Sequence, residues 1–413
     1  MSEPYDREMA DLPPVADAAG TPTRSETQPT GAKGRSTMRS VALDLGRKIT
    51  FCEVEDEKVV RRATVRSFGD LERLLGPRTA PARVAIEACR EVWHVERRLR
   101  EWGHEPLVVD TTRVKQLGVG QHKRKTDRID AEVLARAVET GGVPLAHVLS
   151  PHRQALRMQL SVRRGLVETR ANHVVMVRGL ARAHGVSLPS CAVEDFVRDV
   201  DASVLGEELR MLVTPLLEVI RVLDPRIAEM DRKLEKLSAT EPVVLKLCTV
   251  PGVGLIVAAA FVSVVDDAKR FRRAHQVEAY LGLVPSERTS VQRRLGSITK
   301  QGNGYLRALL VQAAWCILRS RGQDPLALWA KAIAQRRGKR IAVVALARRL
   351  VGVLWAMWRD ATVYDTERLV HAAVRGLQQQ VQTLEQQRRA LERAARKNRR
   401  QHLDLLLARG GVA

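Results

Sequence analysis

Four acidic residues, Asp44, Glu87, Asp127 and Asp130, have the types and spacing that metal chemistry needs. Asp44 follows the apolar run Val41-Ala42-Leu43 and Glu87 follows Val84-Ala85-Ile86, so each stands where a strand should end. Asp127 and Asp130 open a helical pattern at a spacing that puts both on one face. If the two strands are neighbours and the helix packs across their ends, the carboxylates converge, and their repulsion calls for a cation. Hard oxygen donors suit Mg²⁺ or Mn²⁺. Two such ions about 4 Å apart would activate an attacking oxygen and stabilise a leaving one in phosphodiester cleavage. A plainer reading stays open: Asp44, just before Gly46, could mark a turn, and Asp127 could cap its helix. Glu87 fits that reading less well, because an unpaired carboxylate at an apolar strand end is costly. Arg113, Lys115, His122, Lys123, Arg124, Lys125 and Arg128 load the approach to Asp127 with positive charge, as a phosphate-contacting loop or a solvated charge run would.

Such residues need elements to position them. The run into Asp44, Ile49 to Val54, and Val59 to Val65 read as three strands joined tightly enough for an antiparallel meander. A short helix over Asp70 to Leu75 stops at Gly76 and Pro77. Arg83 to Ile86 is the next strand, the stretch through Trp102 a helix closed by Gly103, and Pro106 to Asp110 another strand. Three strands, a helix, then alternating strand and helix is the order of an α/β ribonuclease-H-like domain, placed at 38–150. Residues 1–37, rich in Pro, Gly, Ser and Thr, are expected to form a disordered tail.

The rest reads as helical. A long arm at 151–242 holds two periodic charged stretches, 153–184 and 203–240, that could pack as a coiled pair, with Pro215 and Pro225 kinking or breaking the second. A mostly α-helical domain at 243–365 opens on Pro251-Gly252-Val253-Gly254 and the small-residue helix Ile256 to Val264. That turn resembles the hairpin of helix-hairpin-helix modules, whose backbone N–H groups hold a DNA phosphate, so Gly252 and Gly254 are candidate contacts; an ordinary helix-helix turn reads the same. Trp315, Trp329, Trp355 and Trp358 fall in apolar helical patterns and read as core. The tail at 366–413 repeats apolar residues at Val374, Leu377, Val381, Leu384 and Leu391, as a short coiled coil or basic surface helix would.

Charge narrows the partners. Lys and Arg number 69 against 47 Asp and Glu, a formal net charge of +22, which concentrates phosphate-rich partners around the folded chain. Nucleic acid leads. A membrane surface comes second and is not expected, since no run of eighteen or more apolar residues occurs and the start MSEPYDREMA lacks the basic and apolar segments of a signal peptide. Cys52, Cys89, Cys191, Cys248 and Cys316 are scattered and lack zinc-site spacing, so they read as reduced residues of a cytoplasmic protein.

The strings VALDLG at 41–46, AIEACREVW at 85–93, KRKTDRIDAEVLAR at 123–136, CTVPGVGLIVAAAFVSVV at 248–265, AYLGLVPSERTS at 279–290, GSITKQGNGYLRALLVQAAW at 296–315 and VALARRLVGVLWAMWRD at 344–360 occur in one order. Together they resemble the transposases of the bacterial insertion sequence 110 family, the DEDD transposases, over residues 39–365. The resemblance implies an amino-terminal domain similar to the Holliday-junction resolvase RuvC, with Asp44, Glu87, Asp127 and Asp130 as ligands of two Mg²⁺ or Mn²⁺ ions. It also implies a carboxy-terminal transposase domain whose serine attacks DNA to form a phosphoserine. The family pattern places that serine after G-L-x-P-S as the Ser of S-G-G, which falls on Ser290. Here Val291 and Gln292 stand where the glycines would be, so Ser286 is a second candidate. Double-stranded DNA at element ends and target, a structured noncoding guide RNA, assembly as a dimer or tetramer, and a nucleoid-associated location in the cytoplasm follow from the same resemblance.

A serine hydroxyl attacks phosphate well only when it is activated and cations neutralise the phosphate. Arg288, Arg293, Arg294 and Lys300 surround Ser290 in sequence, and a helix from Tyr305 could present Arg307 to a nucleic-acid backbone. The same residues could form an ordinary basic loop. Two rivals to transposition therefore stand: a structure-specific metal nuclease without serine chemistry, and a nucleic-acid-binding protein whose metal site has decayed.

Overall fold

Strand alternation builds the first part of the chain. β1 (Arg39–Leu45), β2 (Ile49–Glu55) and β3 (Lys58–Val65) form an antiparallel meander. β4 (Ala82–Glu87) and β5 (Glu105–Val109) join parallel to β1 and to β4, giving the sheet order β3-β2-β1-β4-β5. The computed structural model describes residues 38–110, 113, 127–289, 293–320, 322–368, 370–371, 378–379 and 381–395. Its contacts divide the chain into two units that part between Val148 and Leu149.

Both faces of the sheet are covered. Val41 and Leu43 of β1, Phe51 of β2, and Val84 and Ile86 of β4 pack with Leu71 and Leu75 of α1 (Phe68–Leu75) and with Val95 and Leu99 of α2 (Val92–Glu101). The alternate residues Ala42, Cys52, Val54 and Ala85 meet Ala131, Leu134, Ala135 and Val138 of α3 (Asp127–Thr140). A period of two on the strands and a three-four rhythm on the helix make both contacts possible, and alanines on each side let α3 lie close to the sheet. Burial in this layer pushes the Cys52 thiol pKa up, against the pull of nearby Arg62. This mixed sheet with helices on both faces is a ribonuclease-H-like, RuvC-like fold.

The sheet's other end holds a buried histidine. His104 is 4% exposed, and its Nδ1 accepts the Ala82 N–H at 3.2 Å. That bond leaves Nδ1 no room for a proton, and burial first, then the Arg39 charge, holds the imidazole below its usual 6.5. As pH falls, the unfolded chain takes up this proton before the folded one. The contribution to stability is therefore complete above about pH 6.5 and is lost below it, toward the lowered folded value. Thermal midpoints from about pH 7.5 to about pH 5.5 should fall less steeply for His104→Gln than for the native chain; equal slopes would remove His104 from the acid response.

The second unit begins with two helices of 33 residues each, α4 (Pro151–Ala183) and α6 (Glu207–Ala239), with the short α5 (Phe196–Asp201) between them. Arg163 pairs with Asp231 and Arg170 with Asp224, so steps forward along α4 are matched by steps back along α6, the register of antiparallel helices. Val177 and Ala181 are buried against Val213, Leu217 and Ile220. Half-exposed ion pairs stabilise by only about 0.2–1 kcal/mol each, so the apolar seam carries the stability and the pairs fix the register. At the root of the arm, Ser150 Oγ donates to Asp266 at 2.8 Å and Arg153 pairs with Glu241 at 3.1 Å.

The break expected at Pro215 and Pro225 as one alternative does not occur, because α6 runs unbroken through both. Each proline lies on the exposed face. The carbonyls they release, four residues back at Met211 and Arg221, therefore turn to water, while the buried stripe continues past them.

Helices α7 (Pro242–Leu247), α8 (Leu255–Val265), α9 (Ala274–Tyr280), α10 (Gly304–Arg319), α11 (Pro325–Arg337) and α12 (Lys339–Arg359) pack beyond the arm, with the hairpin of β6 (Pro285–Thr289) and β7 (Arg293–Ile298). α8 is buried from Ala258 to Val265, as its all-apolar sequence requires. Trp355 is buried and donates from Nε1 to the Ala268 carbonyl at 2.9 Å; Trp315, Trp329 and Trp358 pack partly buried against the same core. α12 is long and apolar enough to cross a membrane, and half of that stretch is buried inside the fold. In the tail, Val381, Leu384 and Leu391 are exposed on helical residues, whereas Val374 and Leu377 lie outside the described residues.

Candidate active site

The carboxyl edge of the sheet gathers the first two acids. In the parallel β1–β4 pair Leu43 faces Ile86, so Asp44 and Glu87 are the next residues on neighbouring strands. Alternation puts Asp44 on the side of Ala42 and Glu87 on the side of Ala85, the side that α3 covers. Both are half-buried.

The direction and level of α3 follow from its polar contacts. Near its C-terminal end, Glu139 accepts the Glu57 N–H at 3.0 Å and Arg136 donates to the Glu57 carbonyl, which anchors that end at the β2–β3 turn. The N-terminal end therefore lies toward the Asp44 edge. Glu132 is held by Arg62 and, at 2.9 Å, by Arg136. Arg62 faces Cys52, which faces Ala42, so Glu132 marks the level of Ala42. From there the helix travels about 7.5 Å back to Asp127, and β1 travels about 6.6 Å forward to Asp44. The two backbones arrive at one level, with Asp130, half-buried, a turn inside.

Among the described residues, which include Asp44, Glu87 and Asp130, no three His, Cys, Asp or Glu side chains close into a metal cluster. The Asp127 side chain lies outside the described residues, as do Lys123, Arg124, Lys125 and the Arg128 side chain. The donor set, carboxylate oxygens only, fits Mg²⁺ or Mn²⁺.

Two features here escaped the sequence. Asp110 follows Val109, which faces Glu87, and so adds another carboxylate at this edge; alternation sets it on the opposite side, and Arg113 lies 3.7 Å away. The Arg62–Glu132–Arg136 cluster, which levels α3, gave no signal because its members are 70 and 4 residues apart and look like ordinary surface charge.

In the second unit, Thr289 faces Arg293 and Arg288 faces Arg294 across the β6–β7 hairpin. Ser290 and the side chains of Arg288, Arg293 and Arg294 lie outside the described residues. Ser286 Oγ donates to the Ser297 carbonyl at 2.9 Å, which commits that hydroxyl to the hairpin. Lys300 is exposed and its N–H donates to the Gly282 carbonyl at 3.1 Å. Arg307 is half-buried and donates to the Leu281 carbonyl at 3.0 Å and to the Gln301 carbonyl, so part of its guanidinium braces the loop below the hairpin. Gly252 and Gly254 are exposed in the turn between α7 and α8, with Gly254 at the N-cap of α8. Gly252 has φ +74°, and a Cβ there would stand 2.9 Å from the Ala313 carbonyl.

Comparison with known proteins matches residues 41–183 to a family described as a transposase of DEDD type and residues 245–329 to one described as the transposase IS116/IS110/IS902 family. A protein of Pseudomonas aeruginosa named as a probable family 20 transposase is 31% identical, over 78% of this chain and 98% of its own length. The transposase for insertion sequence element IS1111A of Coxiella burnetii is 28% identical over 68% of this chain and 79% of its own. The transposase for insertion sequence element IS1328 of Yersinia enterocolitica is 26% identical over 69% and 86%.

Proposed function

Because the chain belongs to the IS116/IS110/IS902 transposase family, we propose that it cleaves DNA strands at the ends of an insertion sequence and joins them to a target. Asp44, Glu87, Asp127 and Asp130 would hold the divalent metal and Ser290 would be the nucleophile. One observation carries the reading: Asp44 and Glu87 leave adjacent parallel strands in matched register, on the face that α3 covers. Bound Mg²⁺ or Mn²⁺, as two ions, supplies polarisation of the phosphodiester and stabilisation of the leaving oxygen.

The chain's own residues do the rest. The carboxylates hold a fixed negative shell, and Arg288, Arg293, Arg294 and Lys300 neutralise the strand's phosphates. Ser290 Oγ bonds to phosphorus as the ester bond to one strand oxygen breaks, and that oxygen takes a proton. A hydroxyl of the receiving strand then bonds to the same phosphorus, the serine ester breaks, and Oγ regains its proton. One ester is exchanged for another at each step, so no nucleotide cofactor is consumed. A structured noncoding RNA that selects the DNA, and assembly as a dimer or tetramer, complete the proposal and are carried over from the family resemblance.

Ser290→Ala tests it. Native protein incubated with element-end DNA and Mg²⁺, then denatured, should carry a covalent protein–DNA adduct. The variant should lose the adduct and lower strand joining by about 10³-fold or more. Joining retained by the alanine variant, with no adduct in either protein, would instead make this a metal-dependent nuclease or recombinase without serine chemistry.

A further inference from the structure

A cleft of about 430 Å³ lies in the second unit beside the base of the β6–β7 hairpin, lined by none of the residues assigned above. α4 forms one wall with Arg157, Ser161 and Arg164, and the floor is α8 at Ala260 and Ser263. The cleft exists because those floor residues are small. At its end stands the start of α10, where Asn303 Oδ1 accepts the Leu306 N–H at 2.9 Å. Gly304 and Tyr305 occupy that first turn, whose N–H groups have no partner within a helix.

Among the described residues no carboxylate lines the cleft. Arg157 and Arg164 are two helical turns apart, about 10.5 Å along one face. The Arg164 guanidinium lies 4.9 Å from the Tyr305 ring centre and is paired at 2.6 Å with Glu168, which leaves it on the cleft wall with part of its charge answered. Two arginine side chains and helix-start amides facing a space of this size are the chemistry that takes phosphodiester oxygens, while the Ser161 hydroxyl donates to the Arg157 carbonyl at 2.9 Å. The cleft is larger than one phosphate needs and is partly open, which suits a run of backbone better than a single phosphate.

We propose that the α4–α8–α10 cleft holds the phosphodiester backbone of a single nucleic-acid strand, as an anchor that binds without cutting. The inference goes beyond the proposed function and uses neither the carboxylates nor Ser290. Binding measured in EDTA therefore reads it separately from cleavage.

The test uses the full chain and fluorescent single-stranded DNA and RNA oligonucleotides over a range of salt. Arg157→Gln with Arg164→Gln should weaken at least one of the two oligonucleotides by about tenfold or more. The same variant should lower the slope of log affinity against log salt by about 1.4, the value for two lost single-strand phosphate contacts. The charge-matched control, Arg182→Gln with Arg232→Gln on exposed positions of the same arm, should weaken it less than about threefold. Equal losses in both pairs would overturn the proposal as generic charge. Sensitivity seen only with 5′-phosphorylated oligonucleotides would overturn it in favour of a terminal phosphomonoester. Should the double variant unfold, Ser161→Glu, at an exposed helix position, places a like charge among the phosphates and should cost about tenfold; affinity equal to native would overturn the cleft.

Discussion

Asp44→Asn is expected to lower metal-dependent DNA cleavage by about 10³-fold or more while leaving the fold and metal-free DNA binding intact. The substitution keeps shape and removes charge. Asp44 stands at a strand end, half-buried, outside the two apolar layers that hold the sheet, so the thermal midpoint should hold. Disturbing even the partners of a metal ligand costs about 10–100-fold, and losing the ligand itself should cost more. Glu87→Gln should behave the same way, because it extends the neighbouring strand to the same face. Asp110→Asn is the contrast: set on the other side of the sheet beside Arg113, it should stay within about tenfold of native. Equal strand breakage by the native chain and Asp44→Asn in Mg²⁺ would remove these carboxylates from the chemistry. No breakage by either, with binding retained, would point to a nucleic-acid scaffold.

Gly302→Ala should be the most damaging single methyl in the second unit. Gly302 has φ +70°, and a Cβ there would fall on the Tyr280 carbonyl; Gly282, at φ +68°, would put its own on the Gln301 backbone. The two glycines let one chain segment cross another at the base of the β6–β7 hairpin, where Lys300 N–H meets the Gly282 carbonyl. Backbone cannot rotate aside as a side chain does. Left-handed strain of about 1–2 kcal/mol therefore adds to a steric clash, and a loss of about 3 kcal/mol or more is expected. Arg307 braces the same crossing through the Leu281 and Gln301 carbonyls, so the damage should reach the serine hairpin and strand joining. Gly338→Ala supplies the comparison: at φ +85° and ψ 155° it would carry backbone strain of about 1–3 kcal/mol but has no neighbour within 4 Å, so the clash is absent. Guanidinium unfolding of the two variants measures the difference, and equal costs at Gly302 and Gly338 would dismiss the crossing as a constraint.

The elements that hold the site were legible where side-chain period decides structure. Val41, Leu43, Val84 and Ile86 alternate with Ala42 and Ala85, and a strand with one apolar and one small-residue face can be read from a single chain. Asp44 and Glu87 were visible for the same reason, as acids ending such runs. Sequence could not say that their strands are neighbours in matched register, or that α3 descends to the same edge. Those facts depend on Arg62, Glu132 and Arg136, whose meeting is tertiary. Arg307 looked like a phosphate ligand because a helix-start arginine beside glycines suits that task, yet two carbonyls claim part of it. Pro215 and Pro225 misled for a related reason: proline's cost depends on whether the carbonyl it orphans can reach water, which is set by facing and not by residue type.

The paired helices have a mechanical meaning as well. Arg163–Asp231 and Arg170–Asp224 stand two turns apart, so sliding one helix by a single turn would break both rungs and pull Val177 and Leu217 out of their seam. The pair therefore keeps its length under load. At 33 residues per helix it is a ruler of about 50 Å, the rise of roughly 15 stacked base pairs, and anything fastened at its two tips is kept that distance apart.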